Sequence, residues 1–149
     1  LIISFFKVTV LHAHNYKNNE YIKMWKISKG EEFFVEHTHS VQQTTVSEKY
    51  RIIDNDIYLL ESKFKSLGAG LPATTPYKFE LIDGGFRIYD INQKMDDLVY
   101  KAGAVRANHR IIIKGKIYYF LDFTQPRTGV KFEVKKVPVL EYFLKEGFK

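Results

Sequence analysis

Two imidazoles one residue apart, His37 and His39, a carboxylate at Glu48 and a third imidazole at His109 are the side chains of this sequence best suited to hold an ion or move a proton. In extended backbone alternate residues share a face, so His37 and His39 emerge together. Glu48 or His109 folding beside them would complete a three-ligand metal site. The same residues admit a hydrolytic arrangement, with Ser40 or Ser66 as nucleophile, His39 or His109 as base and Glu48 as the orienting carboxylate. The amides around Gly68-Ala69-Gly70 would then face an oxyanion. Against hydrolysis, Ser66-Leu67-Gly68-Ala69-Gly70 is not a Gly-x-Ser-x-Gly elbow and lies in no strand-turn-helix context. Nor is it a phosphate or dinucleotide loop, for it lacks the further glycine, the Gly-Lys-Ser/Thr ending and the following helix. The residues favour a non-catalytic polar network in which Thr38, His39, Ser40, Glu48 and Ser66 satisfy one another beneath a corner made by Gly68 and Gly70. Such a network is either pure scaffold or presents backbone N–H groups to a small anionic or polar ligand. No metal and no cofactor is assigned.

The elements that must position these residues are strands. Residues 5–11 and 21–27 read as a hairpin around Asn15-Tyr16-Lys17-Asn18-Asn19. Its second arm alternates imperfectly, with Tyr21, Lys23, Trp25 and Ile27 on one face and Ile22, Met24 and Lys26 on the other. Residues 31–41 put Phe33, Val35, His37, His39 and Val41 on one face, and residues 44–53 gather Val46, Glu48, Tyr50 and Ile52. A carboxylate on that otherwise apolar face requires a partner. Residues 57–66 place Tyr58, Leu60, Ser62, Phe64 and Ser66 opposite Leu59, Glu61, Lys63 and Lys65. Asp83-Gly84-Gly85 joins residues 79–82 to 86–91, and Gly115 joins 110–114 to 116–120, as two further hairpins. Strands are also expected over 98–105 and 130–137. Only residues 139–145 carry helical spacing, with Leu140, Phe143 and Leu144 on one side. About ten short strands with Gly and Asn turns make an all-β, antiparallel sandwich or barrel with a short C-terminal helix.

At 149 residues the chain suits one domain, 1–149, able to bury roughly two-thirds of the surface its unfolded form exposes. It has no cysteine, which excludes disulfides and thiolate metal sites. Its 23 Lys and Arg against 17 Asp and Glu give +6, but the cations are dispersed and the densest runs are pairs such as Lys135-Lys136. Binding single-stranded nucleic acid calls for clustered cations with interleaved aromatics, so no nucleic-acid partner is expected. No apolar run reaches the ~18 residues of a membrane span.

Several stretches in order, Phe34-Val35-Glu36-His37-Thr38-His39-Ser40-Val41, Val46-Ser47-Glu48-Lys49-Tyr50, Phe64-Lys65-Ser66-Leu67-Gly68-Ala69-Gly70-Leu71-Pro72 and Asn108-His109-Arg110, resemble the domain of unknown function 1850 family. The resemblance covers residues 29–137, leaving 1–28 as an N-terminal hairpin. Leu67 stands where the family pattern suggests an aromatic. The resemblance implies a small extracytoplasmic protein, anchored to or secreted across the cytoplasmic membrane, for which Leu1-Ile2-Ile3-Ser4-Phe5-Phe6 would be the remnant of an anchor. It further implies association with a TAXI-type TRAP transporter, through its permease or solute-binding component, and no assigned activity. By motif position it nominates His39, Ser40, Glu48, Ser66, Gly68, Gly70 and His109 as site residues. The expected function is thus a non-enzymatic accessory or ligand-binding domain. The alternatives are a metal-dependent or His/Glu-based hydrolase and, behind it, a nucleic-acid-binding β domain.

Overall fold

The computed structural model describes residues 6–39, 43–65, 75–103 and 107–147. Within them the alternating segments form two antiparallel sheets. The smaller sheet contains β1 (Lys7–Asn15), β2 (Tyr21–Lys26), β9 (Leu98–Lys101) and β12 (Gly129–Pro138), in the order β2-β1-β12-β9. The larger contains β3 (Glu32–Thr38), β4 (Thr45–Ile53), β5 (Asp56–Phe64), β6 (Lys78–Ile82), β7 (Gly85–Tyr89), β10 (Arg110–Ile113) and β11 (Lys116–Tyr119), in the order β11-β10-β3-β4-β5-β7-β6. The two-residue β8 (Gln93–Lys94) pairs with β5. Two helices complete the described chain, the single-turn α1 (Phe120–Phe123) and the C-terminal α2 (Val139–Glu146). The all-β sandwich is as the sequence indicates, with a short C-terminal helix and somewhat more strands than expected.

The two sheets face each other across one apolar layer. Leu11, Ala13, Trp25, Val130, Phe132 and Leu98 enter it from the smaller sheet. Phe33, Val35, Tyr50, Ile52, Ile57, Ile111 and Ile113 enter from the larger, and Phe120 of α1 fills the space between. Rings pack within and between the layers: Phe33 stacks on Tyr50 at 5.2 Å within the larger sheet and Trp25 on Phe132 at 6.2 Å within the smaller, while Trp25 meets Tyr118 of the larger sheet at 5.6 Å across the interface. The outer face of the larger sheet carries the charge. Glu32 takes Arg51 at 2.7 Å, Glu61 takes Arg87 at 2.5 Å, Glu80 takes Arg87 at 2.8 Å and Glu36 takes Arg110 at 3.1 Å. Much of the dispersed positive charge is therefore paired on a solvated sheet face. The β10–β11 hairpin turns on Lys114 (φ 53°) and Gly115 (φ 74°), the two positive φ angles that a turn matched to strand twist requires.

Two β-bulges reset the alternation. Pairing between β4 and β5 steps from Lys49↔Glu61 to Tyr50↔Leu59, so Leu60 has no opposite number, and its carbonyl accepts the Ile91 N–H at 3.1 Å. Leu59 and Ile57 consequently share the inner face with Ser62 and Phe64. The expected face of Tyr58, Leu60, Ser62 and Phe64 is split at that point. A second step, from Ala13↔Lys23 to His14↔Tyr21, skips Ile22. Ile22 packs on the core beside Trp25 and Ile27, while Tyr21 joins Met24 on the outer side.

That outer side of the smaller sheet has its own small cluster of Val10, Met24 and Val137, with Val8, Tyr21 and Tyr142 against it. Helix α2 covers it, held by Glu146, whose carboxylate accepts the Tyr21 hydroxyl and pairs with Lys23 at 2.9 Å. The helix approaches the sheet through Tyr142 and Glu146, which are one turn apart. Its apolar side of Leu140, Phe143 and Leu144 faces outward, contrary to the usual assumption that such a stripe seeks the core.

Candidate functional site

The inner face of β3 begins apolar and turns polar. Phe33 and Val35 are fully buried, and His37 follows them on the same face. Its neighbours are set by register. On one side the pairing Arg110↔Glu36 brings His109, just before β10, level with His37, and the two rings stack at 4.9 Å and 13°. On the other side Val46 lies opposite His37, and Glu48 lies opposite Val35.

Glu48 is the carboxylate stranded on an apolar face, and two phenols answer it. Tyr50, two residues on along β4, donates its hydroxyl to Glu48 Oε2 at 3.2 Å. Tyr100 reaches across from β9 in the opposite sheet and donates to the same oxygen, and the two hydroxyls lie 2.5 Å apart. Burial, with the charge of Glu48 beside them, pushes both phenols well above their usual range. They therefore stay protonated and act as donors. The network joins the sheets at the place where a lone carboxylate would otherwise oppose their packing.

The imidazoles are tuned in the opposite direction. Burial, reinforced by His37 and Arg110, lowers His109 to about 4. Burial also lowers His37, where Glu48 pulls the other way and His39 and Arg110 add to the effect. Both rings are neutral at pH 7. His109 Nδ1 accepts the Gly103 N–H at 3.2 Å, which makes it the bare nitrogen. A Cβ on Gly103 would stand 2.4 Å from the Ala107 methyl and 3.3 Å from His109 Nδ1, so a glycine is needed for that approach. His39 lies just past the end of β3, where its N–H donates to the Thr44 carbonyl at 2.7 Å and its carbonyl accepts from Gln43 at 2.9 Å. Nδ1 of His37 and Nδ1 of His39 are both buried and without a hydrogen-bond partner among the described residues.

Of the seven nominated residues, His39, Glu48 and His109 are described and sit at this end of the sandwich. Ser40, Ser66, Gly68 and Gly70 lie outside the described residues. Glu48 bonds to Tyr50 and Tyr100 among the described residues, and His109 stacks on His37. Among the described residues, the group whose metal-type ligand atoms lie within 4.8 Å of one another is His12, His14 and Glu133, and not any trio drawn from His37, His39, Glu48 and His109. Tyr100 and Gly103 are central to the geometry, yet the sequence carries no local mark of either. Tyr50 could have been found, since it shares Glu48's face two residues on.

No described helix is long and apolar enough to cross a membrane. No curated protein and no solved structure matches the chain. A family comparison matches residues 33–120, narrower than the 29–137 suggested by motifs, and takes in β3 through β11 together with the whole polar cluster. The match spans more than half of the sequence, and the chain belongs to the DUF1850 family, a domain of unknown function.

Proposed function

We propose that this protein is a non-enzymatic accessory domain of a TAXI-type TRAP solute transporter, working on the extracytoplasmic side and taking a small anionic solute at the His37–His39 end of the sandwich. The transporter association follows from the motif resemblance. The binding reading rests on one observation in particular: His37 and His39 each keep a buried Nδ1 with no partner among the described residues, beside a carboxylate whose Oε2 already accepts two phenols. Polar atoms sealed away from water are normally bonded, so two adjacent exceptions favour a ligand that supplies what is missing. A neutral imidazole can donate one N–H to a carboxylate oxygen, and the chain's net charge of +6 draws anions toward it.

Geometry also favours binding over hydrolysis. A nucleophile–histidine–carboxylate relay needs the carboxylate on the histidine's second nitrogen. Here the bonds described for Glu48 run to Tyr50 and Tyr100, and His109 Nδ1 is used by a backbone N–H. The test has two arms. The tagged chain, co-expressed with a neighbouring TRAP permease and its solute-binding component, should co-purify with one of them. Small organic acids should raise the thermal midpoint of the wild type, and His37→Asn with His39→Asn should remove that rise while the unliganded midpoint changes little. Absence of co-purification together with no acid-dependent shift would refute the reading.

A further inference from the structure

The outer face of the smaller sheet holds a second group of ligand-type side chains. His12 and His14 alternate with Leu11 and Ala13 along β1, so the histidines turn outward when their neighbours enter the core. Outward here does not mean solvated. Under and beside α2, His12 retains 8% exposure and His14 retains 6%. Pairing of β1 with β12 sets Glu133 directly opposite His12. One ring nitrogen of each histidine and a Glu133 oxygen lie within 4.8 Å of one another, and His14 Nδ1 stands 3.8 Å from Glu133 Oε1.

Nδ1 of both rings is buried and has no hydrogen-bond partner among the described residues. Tyr21, the nearest polar ring, packs on His12 at 5.5 Å but gives its hydroxyl to Glu146. Two bare ring nitrogens beside a carboxylate are an arrangement that packing alone does not explain. We propose that His12, His14 and Glu133 bind one divalent transition-metal ion of zinc's class beneath the C-terminal helix, leaving a fourth position to water or an added ligand.

The donor set is the reason for that class. Two imidazoles and one carboxylate suit zinc and its neighbours, whereas calcium and magnesium prefer oxygen alone. Ligand atoms about 2.1 Å from a tetrahedral ion stand roughly 3–4 Å apart, so side-chain rotation alone closes the present separations. Three lysines stand around the group. Lys131 is engaged with Asp97 at 2.7 Å, and Lys145 with Glu141 at 3.1 Å and the Tyr21 ring at 4.5 Å. Lys135 lies 3.0 Å from Glu133 Oε1 and is the competitor, but its side chain is 43% exposed and free to swing into water.

The whole chain, stripped with a chelator, should develop visible cobalt absorption that saturates at one Co²⁺ per chain and is displaced by Zn²⁺. His14→Gln and Glu133→Gln should each weaken binding at least tenfold, and Lys135→Gln should tighten it, while His37→Asn in the interior cluster should leave it unchanged. Histidine ring NMR signals of the wild type, followed through the Zn²⁺ titration, report the same event without any variant. The proposal fails if the wild type shows no saturable uptake of Co²⁺ or Zn²⁺, or if His37→Asn abolishes uptake and His14→Gln does not.

Discussion

The chain writes one pattern twice, His-x-His on a strand with a glutamate on its neighbour, and folds the two copies into different sites. At His37-Thr38-His39 the first histidine continues an inward face, the second lies just past the strand's end, and the glutamate lies opposite Val35, two residues back from His37. There it meets Tyr50 and Tyr100, while His37 meets His109. At His12-Ala13-His14 the histidines lie on the outward face, and Glu133 sits directly opposite the first of them. An offset of two residues therefore separates a carboxylate bonded to phenols from a carboxylate poised beside two bare imidazoles. The interior copy falls inside the family-matched span 33–120, and residues 12, 14 and 133 fall outside it. Spacing along one strand is thus a poor guide to a site when the partner strand's register decides which side chains meet.

The sharpest way to break the comparison is to remove each glutamate in turn. Glu48→Ala leaves two buried phenols without their acceptor and cuts the link between the sheets, which should cost about 2–4 kcal/mol by denaturant unfolding. Tyr100→Phe removes one donor only and should cost about 1–2 kcal/mol, with strong coupling to Glu48→Gln in a double-mutant cycle. Additive effects in that cycle would show that the carboxylate does not join the sheets.

Much of the scaffold was legible because alternation and turn residues act locally. The Asp83-Gly84 and Lys114-Gly115 hairpins, β4 and the C-terminal helix all follow from neighbours in the chain. Phe33 shares a face with Val35, and Tyr50 with Ile52 and Glu48, as period-two alternation expects, and both faces are buried. What sequence could not supply was long-range. Bulges at Ile22 and Leu60 invert the face of every residue beyond them, and no residue type announces a bulge of this kind. Tyr100 becomes Glu48's partner only because β9 joins the other sheet and packs across it. His12 and His14 lie beyond the β-branched and aromatic stretch 5–11 that marks the first strand in the sequence, whereas β1 runs on to Asn15 along β12.

Acid should separate the folded state from the unfolded one through the interior pair. Burial lowers His109 to about 4 in the folded chain, against the ordinary imidazole value of about 6.5 when unfolded, so between those values the unfolded chain binds the extra proton. Stability is then complete above pH 6.5 and is lost as pH falls toward 4. The loss from His109 should be about 1–3 kcal/mol, less than the full shift implies because the ring is only half-buried, with His37 adding in the same direction. Thermal midpoints recorded from pH 7.5 to pH 4, flanking that window, should slope down, with His12 and His14 of the outer group, which burial also lowers, adding in the same direction, and His109→Asn should make the slope shallower by its own share. A wild-type midpoint indifferent to pH across this range would mean that the rings are already charged or already solvated.

The smallest effect is the most discriminating. In the metal-free chain Glu133→Gln should change unfolding free energy by less than about 1 kcal/mol, because Glu133 is a third exposed and its ion pair with Lys135 is a surface pair screened by water. The contrast with Glu48→Ala is then a property of where each glutamate sits, since both lie on a central strand near two histidines. If Glu133→Gln proved as costly as Glu48→Ala without metal, Glu133 would have to be satisfying the buried Nδ1 of His12 or His14 directly. The outer group would then be a second saturated network of the interior kind, and its two nitrogens would have nothing left to offer an ion.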